Sequence, residues 1–163
     1  VRAPGVERAV GGDAVYQREA AAALAWAALR SGDEAASADL CACAASARSH
    51  DARASARKLL ARAHGRDLCG ARWHELCAGL VDGLAGEPWH QCSRRALVIV
   101  QRWLVGHGSE GQAGDKQGDH QGDTEARARA EVAARALPVA MALATGSPHE
   151  RVRNAALTCF AAA

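Results

Sequence analysis

Apolar residues recur along most of this chain at the three- to four-residue spacing that is typical of amphipathic helices. The clearest example lies in residues 68–84, where Leu76, Leu80 and Leu84 form one stripe. A second stripe with the same i, i+4 spacing contains Trp73, Cys77 and Val81. No stretch alternates convincingly with the two-residue period of a strand. The pattern therefore predicts an all-α fold.

Clusters of Gly, Ser, Asp and Pro interrupt this pattern and divide the chain into about seven predicted helices. These helices cover residues 13–29, 34–46, 49–64, 68–84, 89–105, 124–144 and 149–163. Pro138 lies inside the sixth helix. We expect it to kink that helix, because proline lacks the backbone N–H donor and clashes with the preceding turn.

Two segments fall outside the helical pattern. Residues 1–12 contain Pro4 and three glycines and are predicted to form an irregular N-terminal arm. Residues 106–123 contain no large apolar residue, which predicts a flexible insertion. The rest of residues 13–163 is predicted to form a single domain of helical repeats that carries this insertion.

An internal repeat becomes visible when the helices that follow the breaks are aligned by placing Arg153 on Arg53. The aligned alanines are Ala20, Ala56, Ala96 and Ala156, at intervals of 36, 40 and 60 residues. The aligned large apolar residues are Leu24, Leu60, Val100 and Phe160. Removal of the 18-residue insertion reduces the last interval to 42 residues. A period of this size with two helices in each unit is close to that of HEAT and armadillo repeats.

Residues 147–157, with the sequence SPHERVRNAAL, resemble the turn and second helix of a HEAT repeat. That family favours a short polar turn with Pro or Asp, followed by Val-Arg, small residues and a leucine. Pro138 also resembles the kinking proline that is common in the first helix of these repeats. The resemblance implies a right-handed α-solenoid of antiparallel helix pairs, in which each pair buries an apolar face against the next.

Composition and cysteine content limit the possible functions. Hydrophobic residues make up 49% of the chain but aromatic residues only 4%, so alanine must allow the helices to approach closely. The formal net charge of +2 creates no strong field for nucleic acid or an acidic membrane. The six cysteines lie in helical apolar patterns, which predicts reduced thiols in an intracellular compartment: cytoplasm, nucleus or organelle interior. No apolar run approaches the length of a membrane span.

No pattern in the sequence predicts chemistry. The spacings His74–Cys77, His90–Cys92 and Cys41–Cys43 do not form the paired motif of a zinc site, so core packing is the favoured interpretation. Nucleophile elbows, phosphate-binding glycine loops and HExxH motifs are absent from the sequence. We therefore expect no catalytic residue, metal or cofactor and no enzymatic activity, and a small-molecule substrate is not expected.

Arginines and one tryptophan form the candidate binding surface. Its predicted members are Arg53, Arg57, Arg94, Arg95, Arg153 and Trp89. One interpretation is that the arginines are solvated helix faces and caps. The other is that they line one concave face and bind the backbone of RNA or DNA, or an acidic peptide. Trp89 follows a Gly-Glu-Pro turn and is expected to be exposed, whereas Trp26, Trp73 and Trp103 are expected in the core.

Two functions follow from these observations. The first is a scaffold that binds other proteins, as a segment of a larger protein or multi-subunit assembly. The alternative is a helical-repeat protein that binds RNA, for example in an organellar ribosome or an RNA-processing complex. Residues 17–32 resemble a helix of the octotricopeptide RNA-binding family, although the chain contains no second copy of that segment.

Overall fold

The computed structural model describes residues 27, 32–62, 70–106 and 119–163. All regular secondary structure in these ranges is helical, which confirms the predicted all-α class. The six helices described are α1 (Glu34–Ser46), α2 (His50–Leu60), α3 (Gly70–Leu84), α4 (His90–Leu104), α5 (Asp119–Gly146) and α6 (Glu150–Ala162).

The first two helices start at side-chain caps. The Asp33 carboxylate accepts hydrogen bonds from the backbone N–H groups of Ala35 and Ala36, at 3.0 and 3.1 Å. The Ser49 hydroxyl accepts one from the N–H of Ala52 at 3.4 Å. These bonds satisfy donors that have no partner inside the helix, so each cap determines where its helix begins.

Most predicted boundaries agree with the structure, and two differ. Helix α1 matches its prediction at both ends, and α4 matches within one residue. The third predicted helix was expected to reach residue 64, but α2 ends at Leu60 in a tight turn where Arg62 N–H donates to the Leu59 carbonyl. Helix α5 begins at Asp119, so residues 119–123, predicted as insertion, are helical instead.

The early turns of α5 contain a local ion pair that favours the helix. The Arg129 guanidinium donates to the Glu125 carboxylate at 2.6 Å, an i, i+4 spacing that stabilises helices. The helix continues through Pro138 to Gly146. The predicted arm, most of the predicted helix 13–29, and residues 107–118 of the predicted insertion lie outside the described residues; Ala27 is helical.

Contacts between helices follow a regular order. Each helix packs on its sequence neighbour within the pairs α1–α2, α3–α4 and α5–α6. Helices α1, α3 and α5 also contact one another in succession, as do α2, α4 and α6. Consequently α3 and α4 lie in the middle of the described fold, covered by a helix pair on either side.

The core combines small residues at helix crossings with larger ones in the middle pair. Ala44, Ala96 and Ala156 are fully buried, which allows their helices to approach closely. The two predicted stripes of α3 are buried, as is Trp103 on α4, so the predicted core face of this helix pair is confirmed. Trp26 lies outside the described residues.

Three equivalent contacts occur at the starts of α2, α4 and α6. The fourth residue of each helix donates from its side chain to the backbone carbonyl six residues earlier. The three contacts are Arg53 Nη1 to Ala47 O at 2.6 Å, Ser93 Oγ to Glu87 O at 3.5 Å, and Arg153 Nη1 to Ser147 O at 2.9 Å. Their spacing equals that of the aligned buried alanines Ala56, Ala96 and Ala156.

Candidate interaction surface

Four aromatic side chains lie where α2, α4 and α6 begin, and we call them the ring row. The His50 and Trp89 rings stack with centroids 3.9 Å apart and planes 18° apart. The His90 and His149 rings stack with centroids 4.2 Å apart and planes 24° apart. The first pair joins the start of α2 to the start of α4, and the second joins the start of α4 to that of α6.

Trp89 is the most prominent member of the ring row. Its exposed fraction is 47%, which confirms the prediction that this tryptophan is accessible. Stacking on His50 explains why an exposed indole still has a defined position. Trp89 occupies the N-cap of α4, where no side-chain hydrogen bond caps the helix.

A buried ion cluster, which we call the Glu87 cluster, is linked to the ring row by the backbone N–H of Trp89, which donates to the Glu87 carboxylate at 3.4 Å. The Glu87 carboxylate accepts hydrogen bonds from Arg53 Nε at 2.9 Å and Arg53 Nη2 at 2.8 Å. It also accepts one from Arg57 Nη1 at 2.9 Å. The side chain of Glu87 is only 3% exposed, and that of Arg57 only 2%. The cluster therefore ties α2 to the turn between α3 and α4.

Arg57 connects a third helix to the Glu87 cluster. Its Nε donates to the backbone carbonyl of Ala44, at the end of α1, at 2.7 Å. Burial lowers the pKa of the Arg57 guanidinium, and the charge of Glu87 opposes that effect. A buried guanidinium with a carboxylate partner remains charged at neutral pH. Arg57 thus serves the packing of α1, α2 and α3–α4 and cannot reach an external ligand.

The pKa of the Glu87 carboxyl lies below its usual value. Burial acts to raise this pKa, but the hydrogen bond from Arg53 and the positive charges of Arg57 and Arg53 outweigh burial. A carboxyl whose pKa is lower in the folded than in the unfolded state stabilises the fold at neutral pH. That contribution is lost as the pH falls through the folded pKa.

We expect the acid sensitivity of the protein to depend on Glu87. The free energy of unfolding should fall as the pH drops below the ordinary glutamate value of about 4.3. We expect the Glu87→Gln variant to be less stable at neutral pH. Its free energy of unfolding should fall less over the acidic range, because the carboxyl group that titrates there is absent. Urea unfolding of both proteins across the acidic range measures the difference. Parallel pH profiles would contradict the role assigned to Glu87.

The remaining arginines of the predicted surface are divided between internal and exposed positions. Arg95 donates to the Ala54 carbonyl at 2.6 Å, and Arg153 donates to the Ser147 carbonyl. Arg94 is exposed on α4, close in sequence to Trp89. The structure therefore does not bring the five arginines together on one exposed face, because Arg57 is buried and three others donate within the fold. Binding by the exposed members stays a prediction.

Three thiols of the described residues, those of Cys77, Cys92 and Cys159, have raised pKa values. Burial raises the pKa of Cys77, and it raises the pKa of Cys159 to about 11. Burial and the charge of Glu87 raise the pKa of Cys92, whose Sγ donates to the His50 carbonyl at 3.4 Å. The thiolate is the reactive form, so a raised pKa lowers the fraction of each of these thiols that is reactive at neutral pH. Cys69 lies outside the described residues.

Metal binding can also be judged for the described residues. Within residues 32–62, 70–106 and 119–163, His, Cys, Asp and Glu form no group of three or more that could hold a metal ion. Two of the His–Cys pairs considered in the sequence contain Cys77 and Cys92, and both cysteines are buried in the core. The ring of His90, the histidine of the second pair, stacks on the ring of another histidine.

One groove adjoins the ring row. It has a volume of about 610 Å³ and lies between the α3–α4 turn and the α5–α6 turn. Its walls include Pro88, His90, Pro138, Leu143, Pro148 and His149. Prolines and stacked rings make a rigid, mainly apolar wall, which suits an apolar side chain of a partner better than a charged substrate.

A second surface was not found from the sequence. Met141 on α5 and Leu157 and Phe160 on α6 are exposed apolar residues, and we call the surface that carries them the α5–α6 face. The repeat alignment contained the relevant signal, since Phe160 aligns with the core residues Leu60 and Val100. The sequence could not reveal which of these aligned positions another helix pair covers.

Comparisons with known proteins do not assign the chain to a family. No protein-family model, no curated protein and no solved structure matches it. Among the helices in the described ranges, none is both long and apolar enough to cross a membrane.

Proposed function

We propose that this chain is a segment of a right-handed α-solenoid of HEAT/armadillo-like helix pairs and acts as a non-enzymatic scaffold for other proteins. The single observation that supports this most strongly is the set of equivalent contacts made by Arg53, Ser93 and Arg153. In each case a side-chain donor at the fourth position of the helix reaches the backbone carbonyl six residues earlier, although the donor is a guanidinium in two helices and a hydroxyl in the third. A contact that recurs at the same position of three helices is what repeated helix pairs would produce. The ordered contacts among α1, α3 and α5, and among α2, α4 and α6, support the same architecture.

Two further observations favour a scaffold over an enzyme. Raised thiol pKa values make Cys77, Cys92 and Cys159 poor nucleophiles. The features that distinguish the surface are instead apolar or aromatic: the ring row, the adjoining groove and the α5–α6 face. Surfaces of this composition are typical of sites that bind proteins.

RNA binding is the alternative, and one observation favours it. Trp89 and Arg94 are both exposed and lie on the first turns of α4. An aromatic ring can stack a base while a guanidinium binds a phosphate. Against this alternative, Arg53, Arg57, Arg95 and Arg153 donate to acceptors within the fold. A near-neutral net charge also provides little attraction for a polyanion.

A salt titration separates the two functions. For the scaffold we expect weak binding of single-stranded RNA that is reduced equally by Arg94→Gln and by Arg127→Gln. Arg127 is a matched control because it is exposed on a different helix, α5. For RNA binding, affinity should fall steeply with salt, with a slope of roughly −0.7 per phosphate contact. Sub-micromolar binding that is selectively weakened by Arg94→Gln and Trp89→Ala would replace the scaffold proposal.

The architecture has its own test. Distances measured by electron paramagnetic resonance between spin labels on the six helices should fit a right-handed succession of antiparallel pairs, with α1, α3 and α5 in one layer and α2, α4 and α6 in the other. Left-handed stacking, or parallel helices within a pair, would contradict the proposed solenoid.

A further inference from the structure

The groove beside the ring row lies between the turns of two successive helix pairs, and its walls are mainly apolar. Ala85 and Pro88 line it on the α3–α4 side, and Ala142, Leu143 and Val152 on the α5–α6 side. Its volume of about 610 Å³ is large enough for a few residues of a bound peptide. Proline in each of the two turns restricts the backbone, so little order has to be gained on binding.

The groove does not repel a negatively charged ligand. Among the described residues that line it, Glu87 is the one acidic residue. The side chain of Glu87 is only 3% exposed, and its carboxylate is bound by the guanidinium groups of Arg53 and Arg57. An incoming carboxylate would therefore meet no unpaired acid in this lining.

Positive charge is concentrated around the groove. The stacked rings and the Glu87 cluster bring together residues 47–57, 85–95 and 146–153. These three segments contain seven arginines and three carboxylates, although the net charge of the whole chain is only +2. Helices α2, α4 and α6 also begin here, and each helix start adds partial positive charge. The local field therefore favours an anionic partner.

The combination of an apolar groove and a positive surround indicates which anion fits. A protein segment with an apolar side chain between acidic residues can fill the groove and bind the arginines around it. Single-stranded RNA has the charge, but its bases bind best on open aromatic faces. The two rings in this groove, those of His90 and His149, already stack on each other. An acidic protein segment is therefore the better match.

We propose that this groove binds an extended acidic segment of a partner protein, with one apolar side chain in the groove and carboxylates beside it on Arg94 and Arg151. Both arginines are exposed, and each is next in sequence to a lining residue. The proposal rests on the scaffold function and names the chemistry of its partner. Apolar burial supplies most of the affinity, and the arginines steer the segment and select its register.

A peptide selection tests the chemistry of the partner directly. Random peptides of about twelve residues, up to roughly 40 Å long when extended, are displayed on phage and selected on the full chain. We expect the enriched peptides to share a large apolar residue flanked by Asp or Glu. Labelled synthetic copies then give dissociation constants by fluorescence anisotropy. Enrichment of basic peptides, or no enrichment above the bare support, would overturn the proposal.

Variants that fill the groove test its location. Ala142→Trp should weaken binding of a selected peptide by about tenfold or more, because the new ring occupies the place of the peptide's apolar side chain. Ala85→Trp fills the groove from the opposite wall and should act in the same way. Both alanines are exposed, so the core is undisturbed. Ala134→Trp is the matched control, because Ala134 is exposed on the same helix as Ala142 and does not line the groove. Equal binding by all three variants would contradict the proposal.

An arginine variant tests the charge. Arg94→Gln should weaken peptide binding roughly twofold to fivefold and reduce its dependence on salt, as expected for an exposed ion pair. Arg127→Gln removes the same charge from an exposed position on α5 and should change neither quantity. An unchanged affinity and salt dependence in Arg94→Gln would overturn the assignment of an acidic partner to this edge.

The outcomes for the groove and for the scaffold function are distinguishable. A chain that selects no acidic peptide and binds RNA only weakly loses the groove proposal, while the scaffold function stands. Sub-micromolar single-stranded RNA that displaces a selected peptide, and whose own binding is weakened by Ala142→Trp, would show that RNA occupies the groove. That result would overturn both proposals.

Discussion

Replacement of Glu87 by alanine is expected to destabilise the protein by about 3–5 kcal/mol, because it leaves a buried guanidinium without its counter-ion. The Glu87 carboxylate accepts three hydrogen bonds from Arg53 and Arg57, and both Glu87 and Arg57 have side chains that are almost fully buried. Arg57 cannot recover solvation without moving α2 away from α1 and the α3–α4 turn. Urea unfolding monitored by circular dichroism measures the loss.

Glu75 provides the matched control for this change. Its carboxylate also binds an arginine, Arg72, at 2.8 Å, but the Glu75 side chain is 64% exposed. Exposed pairs contribute roughly 0–1 kcal/mol, so Glu75→Ala should have a small effect. Equal effects of Glu75→Ala and Glu87→Ala would show that the buried cluster does not stabilise the fold as proposed.

Leu80→Ala and Leu76→Ala should each lower the free energy of unfolding by about 2–5 kcal/mol. Both side chains lie in the core of the middle helix pair and are almost completely buried. Truncation removes apolar contacts and leaves a cavity that α3 cannot close, because α1, α4 and α5 all pack on it. The denaturation midpoint should move to lower urea without loss of helical circular dichroism before the transition.

Leu157→Ala is the control for the two core substitutions. It removes the same atoms from a leucine that is exposed on α6, so its effect should be below about 0.5 kcal/mol. A cost for Leu157→Ala similar to that of Leu80→Ala would mean that the α5–α6 face is already covered in solution. Near-neutral effects at both Leu76 and Leu80 would contradict the assigned core face of α3.

Several features of the fold could be predicted because they depend on nearby residues. Asp33 marks the start of α1 since a short carboxylate can reach the N–H groups of the following turn. The stripe of Leu76, Leu80 and Leu84 predicted the buried face of α3, because i, i+4 residues lie on one side of a helix. Trp89 was expected to be exposed because it follows a Gly-Glu-Pro turn.

The candidate surface was less predictable, because an arginine side chain can either form a buried ion pair or lie exposed to solvent. Arg53, Arg57, Arg94, Arg95 and Arg153 appear equally suited to solvent in the sequence. The structure buries Arg57 beside Glu87 and leaves Arg94 exposed, although both lie on amphipathic helices. A long side chain with an apolar stem and a charged end fits either environment, so its spacing alone does not determine its burial.

The sequence by itself determined the all-α class, the starts of α1 and α2, and the faces of α3 that enter the core. Only the tertiary structure decided that Arg57 binds a carboxylate 30 residues away, that His90 stacks on His149, and that Leu157 is exposed while Leu97 is buried. The physical reason is that side-chain spacing orients residues relative to their own helix axis. Burial and ion pairing also require a second helix, whose position depends on the packing of the whole chain.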